Sequence, residues 1–171
     1  MKLTGKAWKY GDNVNTDYIY PGRYTYSILS DLEMGRHALE DFDADFNKSS
    51  SAGDIIVAGK NWGCGSAREQ AVKCLKARGI AAIVAKSFSR IYYRNAVNEG
   101  LPIVICHEAA DHVAAGDIVT IDFDLNFVIT DGSSFPSSPY PDYLKAIVES
   151  GGLLPYVKKK LYEQGKIKEG F

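Results

Sequence analysis

A serine and an arginine stand two positions apart in the stretch Gly59-Lys60-Asn61-Trp62-Gly63-Cys64-Gly65-Ser66-Ala67-Arg68-Glu69-Gln70-Ala71. Three glycines fall within the seven residues from Gly59 to Gly65. Glycine lets a chain turn tightly and lets a ligand come close to the backbone. Arg68 offers a planar, permanently charged fork suited to a carboxylate. Ser66 sits at the predicted N-cap of a helix, with Glu69 three residues on, which is a capping-box spacing. The free N–H groups and dipole of a helix start favour an anion. These residues suit a loop that holds a small carboxylate against a serine oxygen. The same pattern is also a common joint in which the serine only caps, and spacing alone leaves both readings open.

Other chemistries fit less well. No lysine precedes Ser66, so the phosphate-binding P-loop pattern is absent, and Gly63-x-Gly65 lacks the third glycine of a dinucleotide fingerprint. An independent serine hydrolase would need a Gly-x-Ser-x-Gly elbow and a placed His–Asp pair, and neither is present. Gly11-Asp12-Asn13-Val14-Asn15-Thr16-Asp17 is acidic and turn-rich but fails the twelve-position calcium pattern, and Asx-turns account for Asp12, Asn13 and Asn15. His37, His107 and His112 have no ligand spacing, and Cys64, Cys74 and Cys106 are too scattered for a zinc or cluster motif, so no metal site is expected. Cys64 borders the central loop and is either a reactive thiol near a helix start or an inert buried one.

The elements that must position this loop can be read on either side of it. Ile55-Ile56-Val57-Ala58 reads as a buried strand before it, and Glu69 to Arg78 as an amphipathic helix after it, closed by Gly79. Ile80 to Ala85 is a second buried strand, Ser87 to Asn98 a helix or partial helix, and Leu101 to Cys106 a third strand. Strand and helix in alternation imply right-handed crossovers and a parallel sheet, whose ligands sit beyond the carboxyl ends of the strands. The glycine loop falls at that place. Leu3 to Tyr10 is a candidate first strand, and Gly116–Phe123 with Asn126–Thr130 a candidate pair turning near Leu125-Asn126. A helical pattern runs from Ser30 to Phe46, with Ser30 and Glu33 spaced as a capping box. Asp131 to Pro141 reads as loop, Asp142 to Glu149 and Leu154 to Glu163 as closing helices. Four tyrosines occur in the nine residues from Tyr18 to Tyr26, as core packing or as an apolar pocket wall with polar tips.

Composition narrows the class. At 171 residues, with 46% apolar and 24% charged residues, the chain suits one domain with a real core. The net charge of −1 gives no basis for a nucleic-acid or anionic-membrane partner. No apolar run approaches the ~20 residues of a membrane span, and no apolar segment of a secretory signal follows the N-terminus. An odd, irregularly spaced set of cysteines argues against a disulfide framework, and a cytoplasmic location is the default expectation.

Several stretches in order resemble the aconitase superfamily, specifically the small subunits of 3-isopropylmalate dehydratase (isopropylmalate isomerase). They are Gly11 to Asp17 with Pro21-Gly22-Arg23-Tyr24, Gly35 to Leu39, Gly53 to Asn61, Gly63 to Ala71, and Phe88 to Asn95 with Gly100-Leu101-Pro102. The Gly-Ser-x-Arg-Glu signature at Gly65–Glu69, with Arg94-Asn95 at this distance, is the specific part. The resemblance implies an α/β fold: a three-layer β/β/α swivelling domain with a mainly parallel sheet core. One such domain would span 1–171, with a core at about 5–131 and a helical extension at about 139–165.

The resemblance also implies a reaction. A 2-alkylmalate loses water to give an alkylmaleate, and water returns with the hydroxyl on the neighbouring carbon, as in leucine biosynthesis. Ser66 would supply the alkoxide that abstracts the proton, and Arg68 would bind a substrate carboxylate with backbone contacts from Gly65 and Ala67. Asp17 would orient a histidine of the large subunit, and Arg23 would match an arginine of the closing loop. A four-iron four-sulfur cluster would be held by the partner large subunit and not by this chain, its open iron acting as Lewis acid. The chain would then be active only with that subunit. Ala67 stands where aconitases have a second serine, so an oxyanion contact there must come from backbone N–H groups. Gln70 stands where many relatives have histidine.

Specificity is expected in Tyr24-Thr25-Tyr26-Ser27. Relatives acting on homoaconitate carry an arginine where Tyr26 stands, and without a cation a third buried carboxylate is unfavourable. Isopropylmalate is therefore the expected substrate, with dimethylmalate and methylmalate (citramalate) as close alternatives and homoaconitate as a more remote one. A non-catalytic swivel-domain binding module is the competing class, opposed by the joint presence of Ser66, Arg68 and Asp17. Exposed apolar surface on half of an enzyme leaves a homo-oligomer of the isolated chain open.

Overall fold

A computed structural model of the chain describes residues 1–168. Glu169 to Phe171, the end of the expected 1–171 domain, lie outside the described residues. Four strands run parallel: β1 (Lys2–Lys9), β2 (Ile55–Ala58), β3 (Ala82–Ala85) and β4 (Ile103–Ile105). Three more, β5 (Ile118–Asp122), β6 (Phe127–Thr130) and β7 (Ser133–Pro136), continue the sheet antiparallel from the other side of β1. The order is β4-β3-β2-β1-β5-β6-β7. Strands β2 and β3 are buried at every position, as their unbroken apolar runs require when both faces are covered.

The period-two alternation of these strands divides the core into two layers. On one face Ile56, Ala58, Ile83, Ala85 and Ile103 pack against helices α4 (Gln70–Arg78) and α5 (Arg90–Glu99), through Ala71, Val72, Leu75, Tyr92 and Ala96. On the other face Ile55, Val57, Ala82, Val84 and Val104 meet Val119, Ile121 and Val128 of the antiparallel strands. Helices α6 (His107–His112) and α7 (Asp142–Glu149) close that layer. The result is the expected three-layer β/β/α arrangement, parallel in the half that carries the central loop. Helices α4 and α5 end at Gly79 and Gly100, both left-handed, and a last helix, α8 (Leu153–Glu163), follows α7.

Two stretches differ from the sequence reading. The helical pattern from Ser30 to Phe46 does not form one helix. A short helix, α2 (Asp31–Arg36), carries the full Ser30–Glu33 capping box, and a separate turn of helix, α3 (Phe46–Ser49), follows. Between them Leu39 adopts φ 56°. A helix cannot continue through that left-handed residue, and tertiary packing overrides the pattern: Ala38, Leu39 and Phe46 are fully buried, while its other apolar markers, Leu32 and Phe42, stay exposed. Part of the expected Asp131–Pro141 loop is strand β7. Asp131 and Gly132, at φ 45° and 75°, form a two-residue turn that returns the chain onto β6. Asp-Gly is the residue pair such hairpins prefer, so the signal was present in the sequence.

Candidate active site

The segments leaving the carboxyl ends of β1, β2 and β3 are stitched together beyond the sheet. Isolated parallel bridges join Asn15 to Cys64 and Trp62 to Phe88. The Gly63 N–H donates to the Val14 carbonyl at 2.8 Å, the Thr16 N–H donates to the Cys64 carbonyl at 2.8 Å, and the Trp62 N–H donates to the Ser87 carbonyl at 3.0 Å. The Ser89 hydroxyl, also the cap of α5, donates to the Gly63 carbonyl at 2.6 Å. Gly63 has φ 72°, and a Cβ on it would lie 2.1 Å from Cγ of the buried Tyr92. Only glycine fits there. The Asp12 carboxylate accepts from the Lys60 N–H at 2.6 Å, and Asn61 bonds Asn13 at 3.0 Å. The polar residues of 12–15 thus fix loops, in keeping with their reading as turn residues.

This anchoring leaves Gly65, Ser66 and Ala67 exposed. Ser66 is not the N-cap of the following helix. Helix α4 begins at Gln70, its N-cap is Glu69 in a helical conformation, and no side-chain cap bond forms. Gly65, at φ 94°, turns the chain outward, and residues 67 and 68 run on before the helix starts. A helix dipole fades within its first turn, so it is not the main positive field at Ser66. The local donors are instead loop amides. Among the described residues, the N–H groups of Gly65, Ser66 and Ala67 donate to no protein acceptor. The Ser66 carbonyl is fixed by the buried Thr16 hydroxyl at 3.0 Å, while the Ser66 hydroxyl is not used for capping. Thr16 was missed by sequence reasoning, since a threonine in a turn-rich stretch carries no signal of its own.

Arg68 and Asp17 are brought together. Arg68 Nη2 lies 2.6 Å from Asp17 Oδ1, and Arg68 Nη1 donates to the Tyr20 carbonyl at 3.2 Å. The Arg68 side chain is 16% exposed and that of Asp17 is 53% exposed. Asp17 sits in the first turn of α1 (Thr16–Ile19), capped by the Asn15 side chain, which accepts from the Tyr18 N–H at 2.9 Å. Gly22 lies directly against the pair: a Cβ there would stand 3.1 Å from Asp17 Oδ1 and 3.3 Å from Arg68 Nη2. This close approach at Gly22 has no sequence signal of its own.

Arg23 is placed differently. It belongs to the 3-10 turn Gly22–Tyr24, and its guanidinium bonds Glu40 and Asp41, with Nη2 2.9 Å from Asp41 Oδ1. Hydrogen bonding to Asp41 pushes the Arg23 pKa further up, and the same bond holds the Asp41 carboxyl below its ordinary value. In the loop that follows, Tyr26 is 97% exposed, and the buried Thr25 hydroxyl has no hydrogen-bond partner among the described residues. Tyr18 stacks on Phe42 at 5.1 Å and Phe42 packs on Tyr10, carrying an aromatic row from the buried Trp62 out to the surface beside Asp17. Among the described residues no group of three or more His, Cys, Asp or Glu could hold a metal ion, and no helix is long and apolar enough to cross a membrane. Cys74 is fully buried, its thiol facing the Ile19 and Ala71 carbonyls, and Cys106 faces the Pro136 carbonyl. The three thiols form no cradle for a cluster.

Comparison with known proteins agrees with this architecture. The family model for the aconitase C-terminal domain matches residues 12–108. The chain is 46% identical over 161 residues to the 3-isopropylmalate dehydratase small subunit of Caldanaerobacter subterraneus, covering 93% of this chain and 99% of that one. It is equally 46% identical, over 159 residues, to the 2,3-dimethylmalate dehydratase small subunit of Eubacterium barkeri, covering 92% of this chain and 97% of that one. The crystal structure of a 3-isopropylmalate dehydratase from Methanocaldococcus jannaschii superposes with a TM-score of 0.90 at 41% identity, covering 97% of this chain and 99% of that one. On fold, matched residues and full-length identity, the chain belongs to the aconitase C-terminal domain family, in its dehydratase small-subunit branch.

Proposed function

We propose that this chain is the small subunit of a heteromeric hydro-lyase that interconverts 2-isopropylmalate and 3-isopropylmalate in leucine biosynthesis. The observation that carries the reading is the Gly65–Arg68 loop: an exposed serine beside unpaired amides, two residues from an arginine oriented by Asp17 and the Tyr20 carbonyl. A serine hydroxyl is a poor base in water, and it becomes a useful one only where its oxyanion is stabilised by fixed donors. The N–H groups of Gly65, Ser66 and Ala67 are such donors, set before reaction and available for substrate oxygens. In this reading Ser66 removes a proton from the carbon beside the one bearing the hydroxyl as that hydroxyl leaves, and delivers a proton to the carbon that lost the hydroxyl as hydroxide adds to its neighbour. Arg68 grips a carboxylate. Asp17 holds Arg68 in place and presents its free oxygen to a histidine of the partner.

The four-iron four-sulfur cluster that supplies Lewis-acid chemistry belongs, in this reading, to the large subunit, because the thiols of this chain do not assemble around one point. The partner's name is supported by relatives called small subunits. Three free thiols favour a reducing compartment, so we place the protein in the cytoplasm. We read the chain as a single swivel domain, its C-terminal helices packed on the parallel core. Tyr24 to Ser27 form the wall for the alkyl group, with Tyr26 where a cation would be needed for a third carboxylate. A dimethylmalate substrate is the second reading, favoured by the relative from Eubacterium barkeri at the same identity. The test is reconstitution with an iron–sulfur large subunit. Ser66→Ala should lower kcat by about 10²–10⁴-fold, the usual worth of a positioned base. Turnover within threefold of wild type would refute the assignment, and faster turnover of dimethylmalate than isopropylmalate would select the second reading.

A further inference from the structure

Arg23 follows Gly22 in the chain, one residue from the contact with the Asp17–Arg68 pair, yet its head points to other partners. Both terminal nitrogens pair with Asp41, and Nη2 also pairs with Glu40. The guanidinium lies over the Tyr24 ring, 4.8 Å from its centroid. Tyr24 also stacks on His37, with centroids 3.9 Å apart and planes at 21°. His37 Nδ1 is in turn 2.6 Å from Glu40 Oε2. Glu40 therefore bridges the two groups that sandwich or flank Tyr24, and the Tyr24 ring is held on the buried Tyr20 at 5.9 Å.

Two carboxylates already occupy both terminal nitrogens of the Arg23 guanidinium. A substrate carboxylate approaching Arg23 would meet repulsion from Glu40 and Asp41 and would have to displace at least one of them. The planar fork on Asp41 and the stack on Tyr24 are instead the geometry by which arginine fixes neighbours in place. What is fixed is the root of the loop that continues through Thr25 to the exposed Tyr26 and Ile28, and that ends at the Ser30 cap.

We propose that Arg23 is a positioning residue: clamped by Glu40 and Asp41 and laid on Tyr24, it sets the depth at which Tyr26 and its neighbours meet the alkyl group of the substrate. This rests on the reading of Tyr24–Ser27 as the specificity wall. The clamp is half exposed, so its contribution is to geometry and little to stability.

The test uses the reconstituted two-subunit enzyme with isopropylmalate and dimethylmalate. Arg23→Gln should raise KM for isopropylmalate and narrow the preference between the two substrates by about tenfold, the lower range of what one hydrocarbon group is worth in a fitted pocket. Its kcat should stay within about threefold, since alkyl-group fit acts chiefly through binding. The double variant Glu40→Gln/Asp41→Asn should reproduce this, and the triple variant should be no worse than either, because all three residues act as one unit. Arg23→Lys should restore part of the preference. An arginine that binds substrate directly gives a different pattern: Arg23→Gln would weaken both substrates equally, while Glu40→Gln/Asp41→Asn would leave KM unchanged or lower it. That pattern, or wild-type kinetics in Arg23→Gln, overturns the proposal. If Arg23→Gln fails to fold in a thermal scan, the carboxylate pair carries the same test. Ser66→Ala measured alongside separates the failures: retained turnover there rejects the underlying functional reading, whereas an inactive Ser66→Ala with unaffected Arg23 variants rejects the clamp alone.

Discussion

Replacing Arg68 by lysine keeps the positive charge and removes the fork, so it isolates what the geometry contributes. The guanidinium serves two partners at once, Asp17 Oδ1 at 2.6 Å and the Tyr20 carbonyl at 3.2 Å. An ammonium on a flexible stem is a single point and cannot copy both contacts in one plane. Tyr20 is 1% exposed and the arginine over its carbonyl only 16%, so water has little access there. An acceptor left unmet in such a place costs about 1–3 kcal/mol. The Asp17 end is half exposed and is worth under about 1 kcal/mol, as for other solvent-screened pairs. Lysine recovers part of this, giving a net loss of about 1–2 kcal/mol. For a chain of this size that lowers Tm by roughly 2–8 °C. Catalysis should suffer far more. A displacement of about 1 Å in a gripping group costs about 10²-fold, so kcat/KM should fall about 30–300-fold, or about 2–3.4 kcal/mol of transition-state stabilisation. The assay is hydration of the alkylmaleate by the reconstituted pair, with a thermal scan of the isolated subunit. An Arg68→Lys enzyme within threefold of wild type would show that charge alone suffices, and the two-point argument would be wrong.

Gly63→Ala forces a Cβ to within 2.1 Å of the Tyr92 ring at a left-handed position. Overpacking and the positive φ together should cost about 2–4 kcal/mol, seen as a Tm drop of about 5–15 °C; an unchanged melt would contradict the contact. Burial pushes the Cys74 thiol well above its ordinary pKa, and Cys106 is raised for the same reason. A thiol reagent on the native chain should therefore modify the half-exposed Cys64 first, read by mass spectrometry; equal labelling of Cys74 would refute its burial. The Asp122 carboxyl is held below its ordinary value by Lys2 and by the N–H of Leu125. A depressed carboxyl contributes stability above its unfolded pKa of about 3.9 and loses it as pH falls through the folded value. Thermal stability should drop as pH goes below about 4, and Asp122→Asn should flatten part of that decline.

The parallel strands and their helices were legible because burial on both faces leaves a strong apolar run in the sequence, as at Ile55–Ala58 and Ile80–Ala85. The glycine loop was legible as a candidate site because it lies at the carboxyl edge of such a sheet. What spacing misjudged was the role of Ser66. A serine three residues before a glutamate looks like a capping box whether or not the helix starts there, and here the turn at Gly65 delays it to Gln70. Arg23 could not be placed from sequence, since nothing local says that Glu40 and Asp41, far along the chain, will fold back onto it. The break after α2 was hidden for a related reason. Tertiary burial of Leu39 overrides the helical pattern, and periodicity carries no information about it.

Much of the seam between the loops at the carboxyl edge is made of peptide groups. Cys64 joins Thr16 through its carbonyl, Val14 receives Gly63 the same way, and Trp62 meets Ser87 backbone to backbone. A lattice of that kind is indifferent to most side chains hung upon it. Such a scaffold can exchange Cys64 for serine or alanine and keep its shape, so mutational drift along these loops should leave the form of the edge intact until it reaches the few positions that must lack a side chain.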